Sequence, residues 1–214
     1  MKKDPLYQLG DIPFDISVLG GLFPNTKHIT DKARRLEQEG RIIRMKRGLY
    51  VRSAEDGAQP VLELIANHLY GPSYVSMHSA LRYFGLIPER VNSIQSMTTK
   101  HNRSFDTPLG FFDFLSCPID YFPVGIRQQQ EKDIQFLIAS PEKALCDLLV
   151  KTHGLKLDST SNLCNYLEND LRFDCTALKT FNPSILRLCH ESTSTKKNNI
   201  SVLIKLVEHG KKHF

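Results

Sequence analysis

At Gly40 the apolar period of this chain changes from helical to extended, and the change falls inside a strongly basic stretch. Upstream, Ile29, Ala33 and Leu36 recur at spacings of four and three, one stripe of a 3.6-residue repeat. That predicts a helix, with Thr26 as its N-cap hydroxyl and Gly40 in the left-handed position that ends it. Downstream, Ile43 and Met45 alternate with Arg44 and Lys46, Arg47-Gly48 supplies a turn, and Leu49 and Val51 alternate with Tyr50 and Arg52. That predicts a two-stranded hairpin whose turn uses Gly48 at positive φ.

The charge decides what such an arrangement is for. Lys27 to Arg52 holds nine Lys/Arg against three Asp/Glu, a net of +6. The whole chain carries +5, so the other 188 residues sum to −1. A charge concentrated on one helix and hairpin is an electrostatic footprint for phosphates. Two polar columns flank the apolar stripe: Lys27, Thr30, Arg34 and Gln38 on one side, His28, Lys32, Arg35 and Glu39 on the other. Such a helix fits the DNA major groove, where Arg, Lys and Gln reach base edges or phosphates. A charged helix face is more often only solvated. The coincidence of helix, terminating glycine and basic hairpin favours a winged helix-turn-helix on double-stranded DNA. The expected contacts are Lys27, Thr30, Lys32, Arg34 and Arg35 from the helix and Arg44, Lys46 and Arg47 from the hairpin. Phe14, Val18, Leu19 and Leu22 support a preceding helix, with Asp15 near its start. Pro5 and Gly10 give little support for another before it.

At 214 residues the chain is long enough for one large or two small domains. The polar run Ser53 to Gln59 predicts a linker, dividing residues 1–59 from 60–214. The expected fold class is α+β: a winged helix-turn-helix, then a mixed sheet to about residue 140, then helices from 141. Five cysteines without a C-x-x-C pair argue for a reducing cytosol and against zinc or a disulfide framework. Met1-Lys2-Lys3 is followed by no apolar segment, and no apolar run approaches a membrane span. The expectation is a cytoplasmic protein with no membrane, metal or cofactor partner.

In the second part, Pro60 at a first helical position opens a helix from Val61 to Tyr70. Ser76 caps another through Phe84, which Gly85 ends and Pro88 keeps from resuming. Strands are expected at Ile94–Thr99, Gly110–Leu115, Tyr121–Val124 and Asp133–Ala139. Ser140 and Pro141 then open a helix that buries Ala144, Leu145, Leu148 and Leu149, with Glu142 near its positive end. Thr160 to Phe214 reads as three or four amphipathic helices, the last from about Asn199 to Gly210.

Four stretches carry a resemblance to the AbiEi-type antitoxins of type IV toxin–antitoxin and abortive-infection systems. They are Arg41-Ile-Ile-Arg-Met-Lys-Arg-Gly-Leu-Tyr-Val51, Tyr74-Val-Ser-Met-His-Ser-Ala-Leu-Arg-Tyr-Phe-Gly-Leu-Ile-Pro88, Thr98-Thr-Lys100 and Ala139-Ser-Pro-Glu-Lys-Ala-Leu-Cys-Asp-Leu-Leu149. They occur in order over roughly residues 12 to 150. The resemblance implies an N-terminal winged helix that represses its own promoter, at inverted repeats. It also implies a C-terminal domain that neutralises a nucleotidyltransferase-like toxin, whether or not the two proteins touch. On the resemblance alone, Ser76, Ser79, Lys100, Glu142 and Lys143 would belong to an antitoxin surface.

Little in the sequence suggests catalysis. Cys146 sits among apolar residues, as a buried free thiol does. No histidine ligand set or phosphate-binding glycine loop occurs, and no carboxylate pair follows a Gly-Ser turn. Ser140-Pro141-Glu142-Lys143 is accounted for by helix capping. Two alternatives to an antitoxin stay open. One is a stand-alone regulator with a ligand-sensing second domain; the other is an enzyme acting on nucleic acid or on the toxin.

Overall fold

The computed structural model describes residues 4–88 and 93–210. The first three residues and the last four, on which the sequence also carried expectations, lie outside the described residues. The protein is a mixed α+β structure with two sheets and two apolar cores.

The smaller core is built by the first 52 residues. A 3-10 turn over Pro5–Leu9 buries Leu6 and Leu9, opened by Asp4, whose carboxylate accepts from the Leu6 N–H. Pro5 stands in the first turn of this short 3-10 segment, and Gly10 closes it at φ +55°. Strand β1 (Phe14–Asp15) leads into helix α1 (Ile16–Leu22), which Asp15 caps by accepting from Ser17 and Val18 N–H. Helix α2 (Ile29–Gln38) buries Ala33 and Leu36, as its stripe requires. Its start differs from expectation. Thr26 is not the N-cap: its N–H donates to the Phe23 carbonyl in a turn, and His28 holds the cap position without a side-chain bond. Lys27 therefore precedes the helix. Its end is as expected. Gly40 takes φ +69°, the Arg41 N–H donates to Leu36 and the Gly40 N–H to Glu37, a Schellman closure.

Strands β2 (Ile42–Lys46) and β3 (Leu49–Arg52) pair antiparallel through Arg47-Gly48, and β1 adds to the other edge of β3. All four residues of β3 are buried, because the strand is covered on both faces. Tyr50 stacks on Phe14 in the small core. Leu49 and Val51, with Met45, belong to the larger core. The hairpin is thus a shared wall. The expected linker is also no loose tether. Ser53 N–H donates to the Arg41 carbonyl, Arg52 pairs with Asp56, and Gln59 N–H donates to Asp11. Residues 53–59 form a tied turn that closes the first unit.

The larger core holds a six-stranded sheet of order β6-β7-β5-β4-β9-β8. Its strands are β4 (Ser73–Val75), β5 (Ser93–Thr98), β6 (Arg103–Thr107), β7 (Gly110–Ser116), β8 (Ile126–Glu131) and β9 (Ile134–Ala139). Tyr121–Val124 is a turn rather than the expected strand: Tyr121 and Phe122 N–H both donate to the Pro118 carbonyl, which curls the chain. Helix α3 (Leu62–Leu69) starts two residues after Pro60, with extended Val61 at its cap, so Pro60 is outside it. Helix α4 (Met77–Tyr83) ends at Gly85. Helix α5 (Pro141–Lys151) is capped by Ser140, whose hydroxyl accepts from the Lys143 N–H.

The residues beyond α5 contribute to the larger core. Helices α7 (Pro183–Ser192) and α8 (Lys197–Gly210) pack on α5 and on each other, and α6 (Thr160–Asn165) packs on α8. They bring Leu163, Leu186, Ile200 and Leu203 into the larger core. Among the described residues, no helix is long and apolar enough to cross a membrane.

Candidate functional site

Of the nine cations between Lys27 and Arg52, three are turned to internal work. Arg41 bridges Asp4 at 2.7 Å and Asp56 at 2.9 Å. Arg52 is buried, pairs with Asp56 and lies over the Tyr7 ring. Lys46 was expected on the exposed side of the hairpin. The register shifts between Arg44 and Lys46, a bulge that periodicity alone does not reveal. Lys46 Nζ instead donates to the carbonyl of Leu69, the last residue of α3, at 2.6 Å. A cation there answers the unsatisfied carbonyls of a helix end.

The other six, Lys27, Lys32, Arg34, Arg35, Arg44 and Arg47, remain on α2, the turn before it and the hairpin. All are exposed except Lys32, which is half-buried with its ammonium 5.0 Å from the centre of the Phe23 ring. Thr30 is exposed beside them. Arg34 has only a long contact to Asp31, 3.9 Å between two exposed groups. Arg44 pairs with Glu37 at 2.8 Å across the seam between α2 and β2, so the hairpin is braced against the helix. Around the start of α2 a concave space of about 440 Å³ is bordered by Lys27, His28, Lys32 and Arg35.

The basic surface does not stop at the hairpin. Strand β2 touches β6, which begins with Arg103, and the loop leading into it carries Lys100 and His101, all three exposed. The Arg103 guanidinium lies over the Tyr70 and Phe105 rings, and the Lys100 ammonium over Tyr70. Burial pushes Lys46 below its usual value, and the like charges of Arg103 and Lys100 add to the effect. None of these three cations has an ion pair among the described residues. Sequence reasoning missed Arg103, because only the contact of β2 with β6 brings it beside the hairpin.

The second set of residues, taken together as an antitoxin surface, is not a surface. Only Lys100 is exposed; Ser76, Ser79, Glu142 and Lys143 are buried. As part of an antitoxin surface Ser79 would be exposed. Its hydroxyl instead donates to the Ser93 carbonyl and accepts from Gln95 N–H, stitching α4 to β5. Glu142 accepts from the Asn182 N–H and fixes the start of α7. Ser76 holds the cap position of α4 but makes no capping bond; its Oγ donates to Asp147 Oδ2 at 2.6 Å. The Tyr74 hydroxyl donates to the same oxygen at 3.0 Å. Lys143 Nζ stands 3.3 Å from Asp147 Oδ1 and donates to the Tyr121 carbonyl. Both charged side chains are 0% exposed. Of the set, Ser76 and Lys143 meet, with Tyr74 and Asp147, in an enclosed polar centre joining β4, α4 and α5.

No protein-family model matches the chain, and no curated protein matches it. Among the described residues no cluster of three or more His, Cys, Asp or Glu could hold a metal.

The arrangement of cations gives a first expected result. If these cations are a DNA interface, Arg47→Ala and Arg103→Ala, each in the full chain, should weaken binding to all duplexes alike. Each should flatten the salt dependence by about one unit of slope, the signature of a lost phosphate contact. Fluorescence anisotropy with an operator and a scrambled duplex reads both. A loss confined to one sequence would place either side chain on a base instead.

Proposed function

We propose that this chain is a DNA-binding transcriptional repressor whose α2 enters the major groove while the β2–β3 hairpin lies on the backbone, in the winged helix-turn-helix manner. The observation that carries this is the sorting of charge. Arg41, Lys46 and Arg52 are consumed internally, yet Lys32, Arg34, Arg35, Arg44 and Arg47 stay on the helix and hairpin that such docking requires, with Lys27 on the turn just before the helix. Lys100 and Arg103 extend the same field onto the second unit. From the resemblance, the promoter bound is the chain's own, and residues 60–214 counter a nucleotidyltransferase-like toxin as a type IV antitoxin.

The test is duplex binding by the full chain across a salt series. Two of the six cations are placed for bases, and Lys100 and Arg103 add to the remainder, so about four to six phosphates are contacted. The slope of log K against log salt should then be about −4 to −5. A flat response sinks the DNA reading. Growth of cells co-expressing the toxin of the same operon, with and without the chain, tests the antitoxin half separately.

One observation favours a second reading, a regulator that senses a small molecule through its second unit. It is an apolar cleft among the C-terminal helices.

A further inference from the structure

That cleft lies between α6, the turns that follow it and α8. It has a volume of about 290 Å³. Its floor is Leu178, Leu206 and Val207, and two cysteines, Cys164 and Cys175, line it. Glu168 stands at its rim, on one turn of π-helix over Tyr166–Asp170. Such turns are rare, and their wider backbone opens space that a regular helix would fill.

Three properties fix what would fit. First, the space is large. A cavity of about 150 Å³ lined by Leu, Ile and Phe takes benzene, so this one has room for two fused rings. Secondly, its cysteines are uncharged at neutral pH. Burial pushes both thiols up, with the Glu168 carboxylate adding to the shift, and Cys175 reaches about 11. Protonated thiols line a site as small polarisable apolar groups and are poor nucleophiles. A covalent role for either is therefore disfavoured. Thirdly, the polar lining is Glu168, Thr176 and Lys179; the carboxylate oxygens of Glu168 only accept, so at that point the cleft takes a hydrogen-bond donor from the ligand.

We propose that this cleft is a binding site for a neutral, flat bicyclic molecule carrying one N–H or O–H donor, which meets Glu168 while the ring body lies on Leu178, Leu206 and Val207. The site is independent of the DNA interface, which lies on α2 and the hairpin, and it stands or falls without that reading.

The experiment uses the full chain and indole as probe. Alkylation of each cysteine by iodoacetamide at mildly alkaline pH is followed by peptide mass spectrometry. Indole should slow the labelling of Cys164 and Cys175 at least several-fold, and leave the slow labelling of buried Cys146 and Cys189 unchanged. Leu206→Trp, which fills the cleft with its own ring, should abolish the indole effect and keep the melting temperature. Glu168→Ala changes an exposed residue and should fold normally. It should weaken indole several-fold while leaving protection by naphthalene, which has no donor, as it was. The proposal is overturned if indole gives no protection up to its solubility limit. Protection that persists in a folded Leu206→Trp protein overturns it too, because the ligand is then elsewhere. If Leu206→Trp does not fold, the Glu168→Ala comparison decides: equal loss, or no loss, for both probes removes the assigned donor contact.

Discussion

Replacing Lys143 by Met should cost about 3–5 kcal/mol of stability, more than any surface change in this protein. The ammonium is fully enclosed and faces Asp147, itself fully enclosed. Removing one member of such a pair leaves an uncompensated charge in a poorly polarisable interior, which is where the figure comes from. Net stabilities of domains are only about 5–15 kcal/mol, so the variant loses a large part of what it has. For a chain of this length the melting temperature should fall by roughly 6–20 °C. The usual remedy, replacing both partners with apolar residues, should fail. Asp147 Oδ2 also accepts from Tyr74 and Ser76, and Leu at 147 would strand two buried hydroxyls at about 1–3 kcal/mol each. Asn at 147 keeps a carbonyl oxygen for both donors and removes the charge. The double variant Lys143→Met/Asp147→Asn should therefore recover at least half of the single variant's loss. Calorimetry of the two proteins decides. If the single variant loses under about 1 kcal/mol, or the double loses more than the single, the charge pair is not what holds this centre.

The same centre shows where sequence reasoning stops. The cap at Ser140 and the apolar face of α5 are local properties, and both were legible. Lys143 and Asp147, four apart, look like a solvated pair on a helix surface. They are buried because Tyr74, Ser76 and the turn at Tyr121 close over them, and those residues lie roughly twenty to seventy positions earlier in the chain. Ser76 illustrates the same limit. Its position before α4 predicted a cap, but a carboxylate seventy-one residues away competes for its hydroxyl and wins. In the first unit the helix, its glycine end and the hairpin turn followed from spacing, because each is settled within a few residues. The hairpin bulge at Met45 did not. It depends on Met45 packing in the larger core and on Lys46 reaching Leu69, neither visible to a period of two. Leu49 and Val51 are likewise buried in the larger core, a contact across the expected linker that periodicity does not show. A fragment ending at residue 59 would expose that apolar face, so division of labour is better tested with point variants in the full chain.

Arg34→Ala/Arg35→Ala should abolish discrimination between operator and random duplex while leaving the fold intact. Both side chains are exposed on α2, and among the described residues the only ion pair either makes is the long contact of Arg34 with Asp31. An exposed pair at that distance contributes little, so the melting temperature should stay put. On DNA the position is different. Successive helix residues point about 100° apart, so the two arginines lie in the two columns flanking the buried stripe and reach different base steps. A bidentate arginine–guanine contact discriminates by about 1–3 kcal/mol, and the pair by about 2–6, provided the sites do not couple. At 1.4 kcal/mol per decade that is roughly 30-fold to 10⁴-fold on the operator. Random duplex, held through Lys27, Arg44, Arg47, Lys100 and Arg103, should weaken far less. The measurement is the ratio of operator to scrambled-duplex affinity at one fixed salt concentration, with melting recorded on the same sample. A ratio that survives the double substitution would mean that α2 rests on phosphates, and that whatever sequence the protein reads is read by another element.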